Sequence, residues 1–528
     1  MTPPGDHRLL GAGLRRTAAA APGALAIVDG DVRLDYAELR DRVARAVTVL
    51  ADLGIGPGAT VAWQLPNWWE ALVIHHAVTA LGAVSNPLMP ILRERELTFM
   101  LAQSGARVLI VPETFRGFDF AGMAEALRIA TGSLDHVLVT RSTRARGNDL
   151  GARLAAAPPA DLSVDPARAP GDAALLLYTS GTESVPKGAL HSHLTLAHEV
   201  ASIRDLYALD GADVVFMPSP VAHITGVLYG MHLPVLLGSA VVLQDIWDPA
   251  AALRLIERER CSFQVGATPF LQGLARHPDL VERDVTSLRV FACGGADVSP
   301  ALVREATSRL GCCVVRTYGS TEMPTVTAGR PADPLALRAA TDGQVIGAAQ
   351  VRVVDDAGDP VAAGEAGELQ ARGPELFLGY LDERLDAAAM TPDGWFRTGD
   401  LGVLDPDGYL TISGRAKDII IRGGENISAK EVEDLLLEHD AVGEVAVVAM
   451  PDEAMGEKAC AFVVCAPGAE PPALDDLVAF LADRRIARQK LPERLEVRDA
   501  LPRTASGKIQ KYELRRQVAE LVGREIVR

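Results

Sequence analysis

Residues 178–188 read YTSGTESVPKG and follow directly on an apolar run at 173–178. A strand that opens into a Ser/Thr/Gly loop suits phosphate, because backbone N–H groups and hydroxyls can surround anionic oxygens. Lys187 adds a compact positive charge to that loop. The stretch is not a P-loop, which needs Gly, four residues and then Gly-Lys-Ser/Thr; no segment of the chain fits. At the far end the chain carries PRTASGKIQK at 502–511, with Lys508 on a Gly-flexible strip. Either segment alone reads as an ordinary turn or a solvated tail. Together they point to a nucleotide-handling enzyme whose C-terminal region supplies a catalytic cation.

Around the loop, helical and strand patterns alternate. Leu39, Val43, Val47 and Leu50 recur at helical spacing before Gly54, residues 60–65 read as a strand, 68–81 as a helix and 106–111 as a strand. Downstream, 194–207 is helical and 235–243 reads as a return to strand. This alternation predicts an α/β fold of layered, largely parallel sheets buried on both faces. Beyond Asp400 the pattern changes, with Asp405, Pro406, Asp407 and Gly408 marking a turn between short strands. An α+β pattern follows: a helix at 428–438, strands at 444–450 and 459–465, and a helix at 473–485. Ser428 followed by Glu431 predicts a capping box at the first of these helices. The expected organisation is a large N-terminal domain over 1–413, a hinge at 414–417, and a small mobile α+β domain over 418–528.

Bulk properties narrow the function. The 528 residues suffice for two domains and a large core. A formal net charge of −17 argues against a nucleic-acid or anionic-membrane partner. Six cysteines without a CxxC pair read as reduced, mostly buried residues. The first residues show no apolar export segment, and the longest apolar stretch, 233–243, is too short to span a bilayer. A cytoplasmic enzyme is expected; a homodimer is left open.

Four more segments complete the pattern: LDYAELRDRV at 34–43, YGSTEM at 318–323, WFRTGD at 395–400 and GRAKDIIIRGGENISAKEVE at 414–433. In this order and spacing the motifs resemble the adenylate-forming superfamily of acyl-CoA synthetases, adenylation domains and luciferases, over nearly the whole chain. The resemblance implies that Thr179, Ser180, Gly181, Thr182 and Lys187 hold the β- and γ-phosphates of ATP. Thr321 bonds the α-phosphate, Glu322 ligates Mg²⁺, and Tyr318, beside Gly319, stacks on adenine. Gly295, Ala296 and Asp297 match the segment that lines the adenine, although relatives carry Ala-Pro where this chain has Ala-Asp. Asp400, following Gly399 in a tight turn, accepts the ribose hydroxyls, and Arg415 contacts phosphate or ribose. Lys508 corresponds to the lysine that bridges the attacking carboxylate and the α-phosphate. Lys417 is the implied hinge residue. His223 stands where acyl-CoA synthetases place a gate between acyl pocket and CoA tunnel, and Gly423 and Gly424 suit close approach of the pantetheine arm. His191 and His193 are a poor metal pair and receive no role.

Two features refine the reading. Relatives read Ser-Gly-Thr-Thr-Gly where this chain has Ser180-Gly181-Thr182-Glu183-Ser184, so the loop gains an acid and loses a glycine. Amino-acid adenylating relatives place an Asp soon after the gate; here 224–228 reads ITGVL and offers none. The expected activity is therefore an ATP- and Mg²⁺-dependent carboxylic acid–CoA ligase, with an aryl, alicyclic or medium-chain acid. A carrier-protein thiol as acceptor, or nitrite activation for diazotisation, remains the alternative at this point.

Overall fold

The apolar run before the Ser/Thr/Gly loop is a strand, Ala173–Thr179, and the chain returns antiparallel to it as Lys187–Ser192. The computed structural model describes residues 10–143, 147–163, 168–179, 186–295, 298–415, 418–422, 425–452, 455–484, 486–504 and 508–526. The hairpin belongs to a seven-stranded sheet in the order Gly379–Tyr380, Lys187–Ser192, Ala173–Thr179, Val84–Pro87, Thr60–Trp63, Val108–Pro112, His136–Thr140. From Ala173–Thr179 outward its strands are parallel. A nine-stranded sheet is parallel from Cys313–Tyr318 through Val290–Gly294, Phe263–Gly266, Val214–Met217 and Ala240–Leu243 to Leu25–Asp29. The largest apolar cluster joins both sheets, Val61, Trp63 and Leu175 of one with Val215, Val241 and Phe263 of the other. The helix Trp69–Ala80, buried from Glu70 to Thr79, lies in the same cluster.

Parallel strands present ligand-binding loops at their carboxyl ends. Here Gly295 follows Val290–Gly294, and the 319–325 segment follows Cys313–Tyr318. A four-stranded antiparallel sheet, Gln350–Val354, Ala366–Arg372, Phe396–Leu404 and Leu410–Arg415, carries Asp400 directly opposite Arg415.

Residues 420–522 build two apolar cores of their own. Strand Val442–Asp452 sends Val445 and Val447 to one face, against Ile420, Val432 and Leu477. Ala446, Val448 and Met450 go to the other, against Phe462, Leu514 and Val518. The period of two explains why this strand is apolar at successive positions.

Three expectations change in detail. The 235–243 run is not one strand: helix Leu233–Leu237 ends at Gly238, whose φ of 72° is left-handed, and strand Ala240–Leu243 begins beyond it. A short apolar run has no period that separates the two structures. Ser428 caps helix Ala429–Leu436 by accepting from the Glu431 N–H, but the Glu431 carboxylate pairs with Lys490 Nζ at 2.5 Å instead of completing the box. Asp400 is not in a tight turn. It lies within strand Phe396–Leu404, where Glu368 pairs with Leu401 and Gln370 with Arg397, leaving Thr398, Gly399 and Asp400 as a bulge. Gly399 has φ +70°, a conformation that glycine adopts without strain, and the bulge releases Asp400 from pairing with Ala366–Arg372 while it stays opposite Arg415. Among the described residues no helix is long and apolar enough to cross a membrane.

Candidate active site

Strand Lys187–Ser192 places Lys187, Ala189 and His191 on one face, since side chains alternate. His191 is buried, with Nε2 2.7 Å from the Thr321 carbonyl and Nδ1 3.0 Å from Thr195 Oγ1. Burial pushes its pKa down to about 4, so the ring is neutral at physiological pH. A carbonyl only accepts, so Nε2 carries the proton and Nδ1 accepts from the Thr195 hydroxyl. A histidine without an assigned role thus fixes the backbone of the 319–325 segment. Its strand spacing from Lys187 was the available signal.

That segment reverses tightly. The Ser320 N–H donates to the Met323 carbonyl at 2.9 Å and the Val326 N–H to the Tyr318 carbonyl at 2.8 Å. Gly319 is obligatory, because a Cβ there would lie 1.9 Å from the Pro324 carbonyl oxygen. The reversal delivers Glu322 inward, 9% exposed, with its backbone carbonyl accepting from the Phe377 N–H at 2.8 Å. Its Oε1 accepts from the Tyr380 hydroxyl at 2.7 Å.

Asp400, 6% exposed, accepts from the Tyr318 hydroxyl at 2.7 Å on Oδ2 and from Arg415 Nε at 2.9 Å on Oδ1. Each carboxylate oxygen retains a lone pair for another donor. The strand bearing Arg415 is itself anchored: Asp342 pairs with Arg316 at 2.8 Å and accepts from the Ile412 N–H at 2.9 Å.

Lys508 enters this cleft from the C-terminal region. Its N–H donates to Thr504 Oγ1 at 3.1 Å, and its carbonyl accepts from the Thr504 N–H at 2.7 Å, closing a short loop. Burial and then the Arg415 guanidinium lower its pKa, while Asp400 and Glu322 oppose the shift. The ammonium therefore shares one field with all three residues. His223 feels it too: burial first, and then Lys508, bring the imidazole down to about 4. His223 caps the short helix Ile224–Gly226, which runs on into the π-helix Val227–His232, with Nδ1 accepting from the Thr225 N–H at 3.4 Å. Gly294 lets the neighbouring strand close in, because a Cβ there would sit 2.2 Å from Thr317 Oγ1. Gly295 has φ +77°.

The sites implied for Ser180, Gly181, Thr182, Ala296, Asp297, Lys417, Gly423 and Gly424 lie outside the described residues, as does Glu183. Thr179 is described and pairs with Lys187 at the mouth of the hairpin, its Oγ1 3.4 Å from the Lys187 carbonyl. Tyr318, Glu322, Asp400, Arg415, His223 and Lys508 are brought together, and Lys187 reaches them through Tyr380, its Nζ 5.7 Å from the ring whose hydroxyl meets Glu322; Thr321 adjoins Glu322 on the same reversal.

The chain belongs to the AMP-binding enzyme family, which it matches over residues 14–381, with the C-terminal domain of AMP-binding enzymes matched over 431–508. It is 36% identical to a medium-chain fatty-acid–CoA ligase of Escherichia coli K12, over 97% of this chain and 91% of that protein. It is 36% identical to a feruloyl-CoA synthase of an Amycolatopsis species, over 95% of this chain and 97% of that protein. Among solved structures it resembles ATP-bound MatB from Rhodopseudomonas palustris, with a TM-score of 0.89 and 28% identity over 98% of this chain and 99% of that one.

Proposed function

We propose that this chain is an ATP-dependent carboxylic acid–CoA ligase. One substrate carboxylate oxygen attacks the α-phosphorus of ATP, the bond to the β-phosphate oxygen breaks, and pyrophosphate leaves. The CoA thiolate then attacks the acyl carbon, and AMP departs with the former carboxylate oxygen. The observation that carries the reading is the Lys508 ammonium in one cleft with Arg415, Asp400, Glu322 and His223. Two anions must meet in the first step, so preorganised cations and donors do more than an acid or base could.

Lys508 bridges the carboxylate and the α-phosphate, and Thr321 donates to that phosphate. Lys187 with Thr179 and the adjoining loop holds the outer phosphates. Asp400 binds the ribose hydroxyls, while Tyr318, oriented through its hydroxyl, faces the adenine. Mg²⁺ fits this donor set. Among the described residues no cluster of three His, Cys, Asp or Glu could cage an ion, but Mg²⁺ commonly takes one or two carboxylates with substrate phosphates. Glu322 supplies such a carboxylate, and a bound Mg²⁺ would neutralise phosphate charge there.

Neutral His223 lines the passage between acid and thiol. The acid is aryl, alicyclic or medium-chain: Ile224, Val227 and Leu228 are buried and apolar. A carboxyl does reach the π-helix, because Glu199 Oε1 accepts from the Tyr229 hydroxyl at 2.5 Å. Burial pushes the Glu199 pKa up to about 7, which unsuits it as a fixed partner for a substrate ammonium. For the second step, residues 414–417 act as the hinge of a domain over 418–528 that withdraws Lys508, with Gly423 and Gly424 passing the pantetheine arm. The six thiols, none in a disulfide, suit the cytoplasm. The test is pyrophosphate release across a panel of carboxylic acids, with and without CoA. Apolar acids should support CoA-dependent AMP formation. An α-amino acid that turns over as well as the best of them contradicts the reading.

A further inference from the structure

Glu322 and its neighbour are gripped at three points, and among the described residues only one hydrogen bond reaches the Glu322 carboxylate. His191 holds the Thr321 carbonyl, and the Phe377 N–H holds the Glu322 carbonyl. These two contacts set the backbone path, yet a glutamate on a fixed backbone still has several staggered rotamers. The Tyr380 hydroxyl, 2.7 Å from Oε1, selects one.

Tyr380 is itself firmly placed. Its N–H donates to Asp386 Oδ1 at 2.8 Å, and its ring meets Phe377 edge-on at 4.9 Å. The preceding Gly379 has φ +134°, and a Cβ there would fall 2.7 Å from Asp386 Oδ2. Tyr380 pairs across the strands with Ala189, which puts its side chain on the face that carries Lys187. Lys187 Nζ lies 5.7 Å from the Tyr380 ring centroid, within reach of cation–π attraction. A carboxylate oxygen only accepts, so the Tyr380 hydroxyl is the donor of this bond.

We propose that Tyr380 is the positioning residue for the metal–phosphate end of the site: its hydroxyl holds the Glu322 carboxylate in the rotamer that ligates Mg²⁺, while its ring steadies the Lys187 ammonium. The inference rests on the assignment of Glu322 as metal ligand. Groups that orient a metal ligand from behind change metal affinity by about 10- to 100-fold when removed. Tyr380→Phe keeps the ring and loses the hydroxyl, so it separates the two contacts. Tyr380→Leu removes both.

The test uses Mn²⁺ as a paramagnetic probe, with ATP present and acid omitted so that no turnover occurs. Bound Mn²⁺ is read by electron paramagnetic resonance, and metal-free ATP binding is measured separately in chelator. Tyr380→Phe is expected to raise half-saturating Mn²⁺ about 10-fold while metal-free ATP binding stays within about 2-fold. Tyr380→Leu is expected to weaken both. Unchanged Mn²⁺ binding in Tyr380→Phe, where Glu322→Gln does shift it, overturns the inference alone. Unchanged Mn²⁺ binding in both variants overturns the inference together with the metal-ligand assignment. Should Tyr380→Phe fail to accumulate as folded protein, Asp386→Asn loosens the Tyr380 N–H from outside the site. A smaller rise in half-saturating Mn²⁺ is then expected, and no rise overturns the proposal.

Discussion

The 319–325 segment and the Lys508 loop supply charges to the same cleft, but they are held in opposite ways. The first is cross-linked to the N-terminal sheets: His191 from one strand, Tyr380 from another with Phe377 just before it, and a glycine whose replacement collides with Pro324. The Lys508 loop is closed by its own backbone, Thr504 to Lys508 and Gln510 N–H to the Pro502 carbonyl at 2.8 Å. Groups needed in both half-reactions can be locked. A cation needed in only one is better carried on a unit that can leave.

This contrast can be broken from either side. The largest effect should come from Lys508→Ala: removing one preorganised transition-state donor costs about 10²–10³ in rate. Gln510→Ala, which keeps the backbone pairing, should change turnover by no more than a few-fold in the same coupled assay. On the locked side, Gly319→Ala should cost about 10² in pyrophosphate exchange, because a misplacement near 1 Å is enough to lose alignment. Turnover close to wild type would show that the reversal is less constrained than its 1.9 Å clash requires.

His191→Phe should act more gently, leaving the Thr321 carbonyl without its donor. An unsatisfied buried acceptor costs about 1–3 kcal/mol, to be read as lowered thermal stability with a lesser loss in exchange rate. Acidification should sharpen the same division. His76, His191, His193 and His223 are all depressed to about 4 by burial, and all lie in the N-terminal sheets and helices. Between pH 6.5 and 4 the unfolded chain binds more protons at these rings, so stability is present above the window and is lost as pH falls through it. Each ring contributes up to about 1.4 kcal/mol per pH unit. Glu199, raised to about 7 by burial, and Glu375, also raised by burial, oppose the trend. Hydrogen exchange at pH 7 and pH 5 should show protection lost first in 14–381 and later in 420–522. The smallest effect is expected at Glu183: an acid facing the γ-phosphate would be repelled by about 4 kcal/mol near 4 Å at an effective dielectric of about 20, so it should point away. Glu183→Thr should then shift the KM for ATP only a few-fold; a hundredfold tightening would place the carboxylate against the phosphates.

The sequence made the charged centres legible because their chemistry dictates residue types: a Ser/Thr/Gly loop ending in Lys187, a carboxylate at Glu322, another at Asp400, a tail lysine at Lys508. The supports were not legible. Tyr380 meets Glu322 across 58 residues and His191 meets Thr321 across 130, and neither neighbour can be read along the chain. Asp400 looked like a turn residue because Thr-Gly-Asp has turn composition. Only the flanking pairs, Glu368 with Leu401 and Gln370 with Arg397, reveal a bulge. The 233–237 helix escaped because an unbroken apolar run fits a buried helix as well as a buried strand.

The central claim, that Lys508 serves the adenylation step and then leaves, is tested most directly by single-turnover chemistry on Lys508→Ala. Preformed acyl-adenylate and CoA are mixed with the variant and thioester is followed by rapid quench, beside ATP-dependent formation of the adenylate from the free acid. The account predicts adenylate formation slowed about 10²–10³-fold, with thioester formation within a few-fold of wild type. An equal loss in both steps would contradict it.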